Sequence, residues 1–352
     1  MKRYLLLLLM LVCVSAFAQE EKPKGKFNGV LFGDYFYKFD GDSSGAGNQY
    51  SAYGYKTQGV TVRRARLHYE YTFNEDFAGN FGIELNDVTK IDNKVSFMVY
   101  DAQFEWKNVV PNSSMFFGLM PSPTFVWGMS EQTYGYRSLE KTIADKNKIG
   151  TALEIGAMLK GKFDKEGNYG YTVMLGNGKG SSAEVSKFPK FYGSVFAKFL
   201  ENFSAEVYYD YQNSYNEQYR MTFKGVLAYK SKDMTFMFEP FIQNRNNAVK
   251  LTDPQNPAGF SVSGKVNVLK RKDAERTEAL NIFARYDYYD PDSNNGQAGF
   301  REKFIMAGLD FLPFKQFHVM PNIWINAYKD KSSANISRPD DIVGRITLWY
   351  VY

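Results

Sequence analysis

One cysteine, two histidines and, beyond the first eighteen residues, no apolar stretch long enough for a helical membrane span: these scarcities exclude a good deal. The cysteine, Cys13, falls in an N-terminal leader, so the remaining chain carries neither disulfide nor thiol chemistry. His68 and His318 are the whole imidazole supply. No Gly-x-Ser-x-Gly elbow, His-Glu-x-x-His pair or cysteine cluster accompanies them, which argues against a hydrolase or a metal centre. His68 lies two residues from Glu70 and reads as a solvated pair rather than a catalytic one. Residues 176–180, Gly-Asn-Gly-Lys-Gly, end a strand without a following helix and read as an external turn, not a phosphate loop. Asp287, Asp290 and Asp292 could meet calcium but do not space out a complete site. The expectation is therefore no enzyme, no cofactor and no metal.

The leader itself is informative. Lys2 and Arg3 precede an almost unbroken apolar run over 5–14, and Ala16-Phe17-Ala18 supplies small residues for cleavage before Gln19. The run is too short for a spanning helix. Val12 is bulky where a lipid-attachment motif has a small residue, which disfavours lipidation of Cys13. Residues 1–18 are thus expected to be a cleaved signal peptide, and 19–352 the exported domain. Losing Lys2 and Arg3 lowers the formal net charge from +5 to +3, too little to argue for nucleic acid.

Aromatic residues make up 17% of the chain, with 30 Phe and 26 Tyr, yet the chain is polar on average. That combination suits a membrane β-barrel, in which lipid-facing and water-facing residues alternate and aromatics gather at the interfaces. Period-2 alternation recurs over 27–39, 59–73, 77–86, 95–106, 114–120, 150–163, 169–177, 190–200, 203–212, 219–230, 234–245, 259–270, 279–290, 302–312, 317–328 and 342–352. Sixteen strands are an even number, as closure of an antiparallel barrel requires. Short connections such as 74–76, 111–113, 164–168, 201–202 and 313–316 alternate with longer Gly/Asn/Ser/Asp-rich ones such as 40–58, 246–258, 291–301 and 329–341. That asymmetry is the pattern of short periplasmic turns and longer external loops. In the last strand Ile346, Leu348, Tyr350 and Tyr352 share one face, and the terminal aromatic resembles the signal read by outer-membrane barrel assembly machinery. A soluble β-sandwich or propeller competes, but its strands are shorter, and no blade repeat of fixed period occurs. Pro321 fits poorly in a wall without an edge strand.

Sixteen strands leave a water-filled channel rather than a side-chain core, so function is expected on the inward faces. In strand two the alternation puts Arg63, Ala65 and Leu67 outward and Arg64, Arg66, His68 and Glu70 inward. Further inward candidates are Glu84, Asp101, Lys160, Arg220, Lys224, Arg285 and Arg345. Basic and acidic inward residues nearly balance, so the bland reading is a solvated lumen. The sharper one is that Arg64 and Arg66, stacked along the pore, favour anions where a loop narrows it. Such a loop spans 120–149 and carries Phe125, Trp127, Tyr134, Arg137 and Glu140, with a helical turn expected over 137–145. Folding back inside the barrel would bury its aromatics and constrict the channel. Packing on a neighbouring subunit is the alternative.

The run Arg63-Arg64-Ala65-Arg66-Leu67, then Glu84-Leu85-Asn86, Val99-Tyr100-Asp101-Ala102, Phe117-Gly118 before Pro121, and Arg137-Ser138-Leu139-Glu140 resemble the phosphate-selective porin O and P family, over roughly residues 27–163. The resemblance implies a homotrimeric sixteen-stranded porin of the bacterial outer membrane with an inward third loop. Leu119 and Met120 depart from the family pattern, and no dense ladder of Lys and Arg follows. The functional expectation is passive diffusion of small hydrophilic solutes or ions, with anion or phosphate preference as its sharper form. A non-conducting adhesin, receptor or scaffold barrel is the alternative.

Overall fold

Alternating side chains and sixteen paired strands make one sheet without an edge. A computed structural model describes residues 24–43, 50–91, 94–183, 187–213, 218–246, 256–271, 278–294, 299–332 and 336–352; the expected signal peptide lies outside them. The strands are β1 (Lys24–Asp40), β2 (Gln58–Thr72), β3 (Phe77–Ile91), β4 (Lys94–Val110), β5 (Ser113–Pro121), β6 (Leu153–Lys162), β7 (Tyr169–Gly176) and β8 (Lys190–Leu200). The second half holds β9 (Phe203–Asn213), β10 (Tyr219–Lys230), β11 (Met234–Asn246), β12 (Ala258–Lys270), β13 (Glu278–Asp290), β14 (Phe300–Phe314), β15 (Phe317–Asp330) and β16 (Asp341–Val351). Each pairs antiparallel with its sequence neighbours, and β1 also pairs with β16, which closes the barrel. Closure satisfies the backbone groups that an open sheet would leave at its edges.

The outward face is apolar. Val60, Phe97, Phe117, Val207, Ile282, Ile346 and Leu348 are all exposed large hydrophobics. The side chains between them point inward and are polar or charged on many strands, as Asp34, Glu84, Glu206, Lys224 and Arg345 illustrate. Short connections are built by side chains that cap their own backbone. Asn74 accepts from the N–H groups of Asp76 (3.0 Å) and Phe77 (2.9 Å) between β2 and β3. Asp164 does the same for Asn168 (3.0 Å) and Tyr169 (2.9 Å) between β6 and β7. Gly118, at φ 127°, passes so close to β4 that an added Cβ would stand 2.2 Å from the Ala102 carbonyl oxygen; only glycine fits.

Of the prolines within strands, Pro121 and Pro313 stand at strand ends, and the ladders accommodate the two in mid-strand. β14 and β15 pair from Gly308↔Asn322 directly to Phe311↔Val319, skipping the rung of Pro321, which pairs with Ile346 on its other side. β10 and β11 likewise skip from Lys224↔Phe241 to Leu227↔Phe238 around Pro240. A residue without an N–H costs the sheet one rung, and a closed barrel tolerates that locally.

Candidate functional site

Segment 122–152 joins β5 to β6 and contains two short helices, α1 (Met129–Tyr134) and α2 (Ile143–Lys146). The helical turn expected over 137–145 is met in part: α2 covers its end, and 137–139 form a turn. Residues 137–142 are not helical, and helix forms on either side, with Gly135 ending α1 in the left-handed conformation. The N–H groups of this stretch at Leu139 (2.8 Å) and Glu140 (3.2 Å) turn back onto the Tyr136 carbonyl, while its carbonyls at Ser138, Leu139 and Lys141 are taken by arginines of the barrel wall.

Those wall contacts reach strands on opposite sides of the ring. Ser130 donates to Glu239 on β11 (2.7 Å), and Lys224 on β10 donates to Ser130 (2.5 Å). Lys224 also lies 3.6 Å from both Glu206 and Glu239. Thr124 shares a hydrogen bond with Tyr208 on β9 (2.8 Å). Two strands farther round, Arg285 on β13 donates to the Lys141 carbonyl (2.6 Å), pairs with Asp287 (2.6 Å) and lies 4.9 Å over the Tyr134 ring. Trp324 on β15 donates its indole N–H to Glu140 (2.8 Å). Arg345 on β16 donates to the Leu139 carbonyl (3.0 Å). Burial opposes the charge on Glu140, but the Trp324 hydrogen bond with the nearby Arg345 and Lys146 holds its carboxyl below the ordinary range. Burial pushes the Tyr134 phenol up to about 12, so it stays neutral beside Arg285.

The segment's apolar side chains are buried against the wall. Phe125, Ile143, Ala144 and Ile149 of the segment pack with Phe241 and Tyr289. Tyr134, Tyr136 and Leu139 join a larger cluster with Phe283, Phe304, Met306, Met320 and Trp324. Trp127 meets Phe116 edge-on at 4.8 Å beside a third cluster of Met120, Met158, Met174, Tyr192 and Tyr208. Apolar inward residues on these strands are complementary to the segment's own apolar side chains.

The other part of the interior stays charged and partly wet. Arg64, Arg66 and Arg137 retain 12%, 17% and 19% of their side-chain exposure. Arg64 (3.3 Å) and Arg66 (2.5 Å) share the Glu84 carboxylate, and Arg66 stacks 3.3 Å over the Tyr100 ring. Arg137 pairs with Glu131 and with Asp145 (2.5 Å), close enough to Arg64 for their charges to repel. Asp101 faces His68 at 3.3 Å. Glu70 is exposed and accepts from Asn28 (2.6 Å), so the supposed His68–Glu70 pairing is replaced by a His68–Asp101 one. Lys160 points at Trp127, 3.3 Å from its carbonyl and 5.2 Å from its ring. Arg220 sits exposed near the start of β10, apart from the rest. The imagined calcium carboxylates are occupied by cations: Asp287 by Arg285, and Asp290 by Arg301 (2.8 Å) and Lys331.

Arg63 is the residue that sequence reasoning misassigned. Strict alternation puts it outward, but the β1–β2 register shifts between Phe32 and Gly33, so Arg64 opposes Phe32 while Val62 opposes Gly33. The bulge turns Arg63 inward, only 4% exposed, where it pairs with Asp34 and donates to the Ser138 carbonyl. The available signal was a switch of the apolar residues from even positions (Val60, Val62) to odd ones (Ala65, Leu67), with Arg63 at the break.

No protein-family model matches the chain, and no curated protein matches it in sequence. Solved structures do match its fold. The outer membrane channel DcaP of Acinetobacter baumannii superposes with a TM-score of 0.70 at 14% identity, over 96% of this chain and 99% of that one. An anion-selective porin from Comamonas acidovorans gives 0.63 at 10% identity over 94% and 100%. Salmonella typhi OmpF, in complex with daunomycin, gives 0.63 at 12% identity over 94% and 98%. At such identities the likeness establishes the closed barrel architecture; the resemblance to the porin O and P family stands only at this coarser level.

Proposed function

We propose that this chain is a porin of the bacterial outer membrane, exported by the signal at 1–18, through which small hydrophilic solutes or ions diffuse passively. We place segment 122–152 inside the lumen as its constriction. The observation that carries the reading is the division of the wall: large apolar side chains face out on strand after strand, while charged ones face in. Such a wall satisfies lipid outside and water inside. The segment's buried contacts with strands half a ring apart support its inward course. Channel neighbours in fold favour transport over catalysis.

On the sharper expectation, the arginines favour anions only weakly. Arg64, Arg66 and Arg137 are matched locally by Glu84, Glu131 and Asp145. A general porin with slight anion preference fits that balance better than a phosphate-specific one. A homotrimer follows from the family resemblance, and delivery by the barrel assembly machinery from the aromatic terminal strand. One observation favours the non-conducting alternative: the apolar clusters that fill part of the interior. Planar-bilayer recording on the purified protein decides between them. Stepwise ionic conductance, with a reversal potential slightly on the anion side in a salt gradient, is expected; absence of conductance refutes the porin reading.

A further inference from the structure

Four side chains meet at the seam where the ring closes. Asp34 on β1 receives hydrogen bonds from Arg63 on β2, from Thr347 on β16 and from Tyr50 (2.5 Å), which lies between β1 and β2. The Arg63 and Arg345 guanidinium groups then converge on one peptide stretch of segment 122–152. Arg63 donates to the Ser138 carbonyl and, at 3.4 Å, to that of Leu139. Arg345 donates to the same Leu139 carbonyl at 3.0 Å, and Asn322 accepts from its Nε at 2.7 Å. Arg63, Asp34, Ser138, Leu139 and Arg345 are each no more than 4% exposed. Charge-assisted bonds to backbone carbonyls in so dry a place are stronger than neutral ones. They also hold position independently of the segment's side chains.

From this geometry we infer that Arg63 and Arg345 form a two-armed clamp on the Ser138 and Leu139 carbonyls, which fixes segment 122–152 and thereby the bore of the channel. The β2 bulge exists, on this view, to supply one arm. Arg63 is a positioning residue: it acts through the segment rather than on the permeant solute, while its neighbour Arg64 belongs to the half-wet charged cluster. The bore half of the statement rests on the channel reading; the clamp half does not.

The test uses the full chain, purified in detergent, with two readouts. Amide hydrogen exchange over 138–149 reports the clamp, and single-channel recording reports the bore. In Arg63→Ala and in Arg345→Ala, exchange in that stretch accelerates by about tenfold or more, the loss expected when a charged donor leaves buried carbonyls. Open-channel conductance and current noise rise with it. If Arg63→Ala fails to fold, Arg63→Lys serves: one ammonium cannot reach Asp34 and both carbonyls together, so exchange lies between wild type and the Arg345→Ala value. Exchange unchanged from wild type in every folded variant overturns the clamp. Accelerated exchange with unchanged conductance overturns the claim that the clamp sets the bore. Accelerated exchange in a protein that never conducts supports the clamp and refutes the channel reading alone.

Discussion

The two sides of the barrel interior solve opposite problems. On β2–β4 the inward side chains are Arg64, Arg66, His68, Glu84 and Asp101, charged or titratable, with the arginines and the histidine still partly exposed. On β10–β16 they include Val226, Met237, Phe283, Phe304, Met306, Met320, Trp324 and Val343, buried against Tyr134, Tyr136 and Leu139. A sixteen-stranded wall is too wide to fill with its own side chains. One side is packed against segment 122–152; on the proposed reading the other is the passage. Burial on the first side supplies stability, and on the same reading incomplete burial on the second leaves its charged groups within reach of a solute.

The comparison can be broken at several points. The largest effect is expected from Trp324→Ala, which removes a fully buried ring packed on Tyr50 (5.7 Å) and Phe304 (5.4 Å) and the donor to Glu140. Destabilisation of about 3–5 kcal/mol in denaturant titration is expected; a change well under this would mean that the packed side is not a core. Next, Arg64→Ala leaves Arg66 on Glu84, so the fold holds while the reversal potential in a salt gradient moves toward cations. No movement would take Arg64 out of the passage.

Acid gives a smaller, graded effect. The Glu140 carboxyl is held below its ordinary range. Its contribution to docking is fully present above the unfolded value, about pH 4.3, and is lost as pH falls through the depressed folded value. Hydrogen exchange over 138–149, corrected for its intrinsic pH dependence, accelerates only in that acid window. Glu140→Gln abolishes the added acid response. The smallest effect belongs to Arg220→Ala, at the exposed start of β10: stability within about 0.5 kcal/mol of wild type and unchanged selectivity. Equal shifts from Arg220→Ala and Arg64→Ala would erase the distinction between the passage and the rim.

The wall was legible because its signal is local and repeated. The alternation in 190–200 and 219–230 coincides with β8 and β10, and the terminal face of Ile346, Leu348 and Tyr350 is outward. Arg63 was not, because a bulge changes parity without leaving a residue type of its own. The helix over 129–134 was not foreseen, because the segment's conformation is set by partners far away in sequence, such as Glu239 and Lys224. The packed interior had a faint signature: in Phe304-Ile305-Met306 both faces are apolar, which a strand between lipid and water does not need.

The convergence on Leu139 has a consequence for biogenesis. Its carbonyl is held by the second strand of the chain and by the last, so the pair of arms is complete only when the C-terminal strand has met the first. If the clamp sets the bore, the aperture is finished by the same event that seals the cylinder. On that reading a half-assembled chain, still open along that line, holds the segment by one arm at most, and narrowing marks completion through two hydrogen bonds to one oxygen.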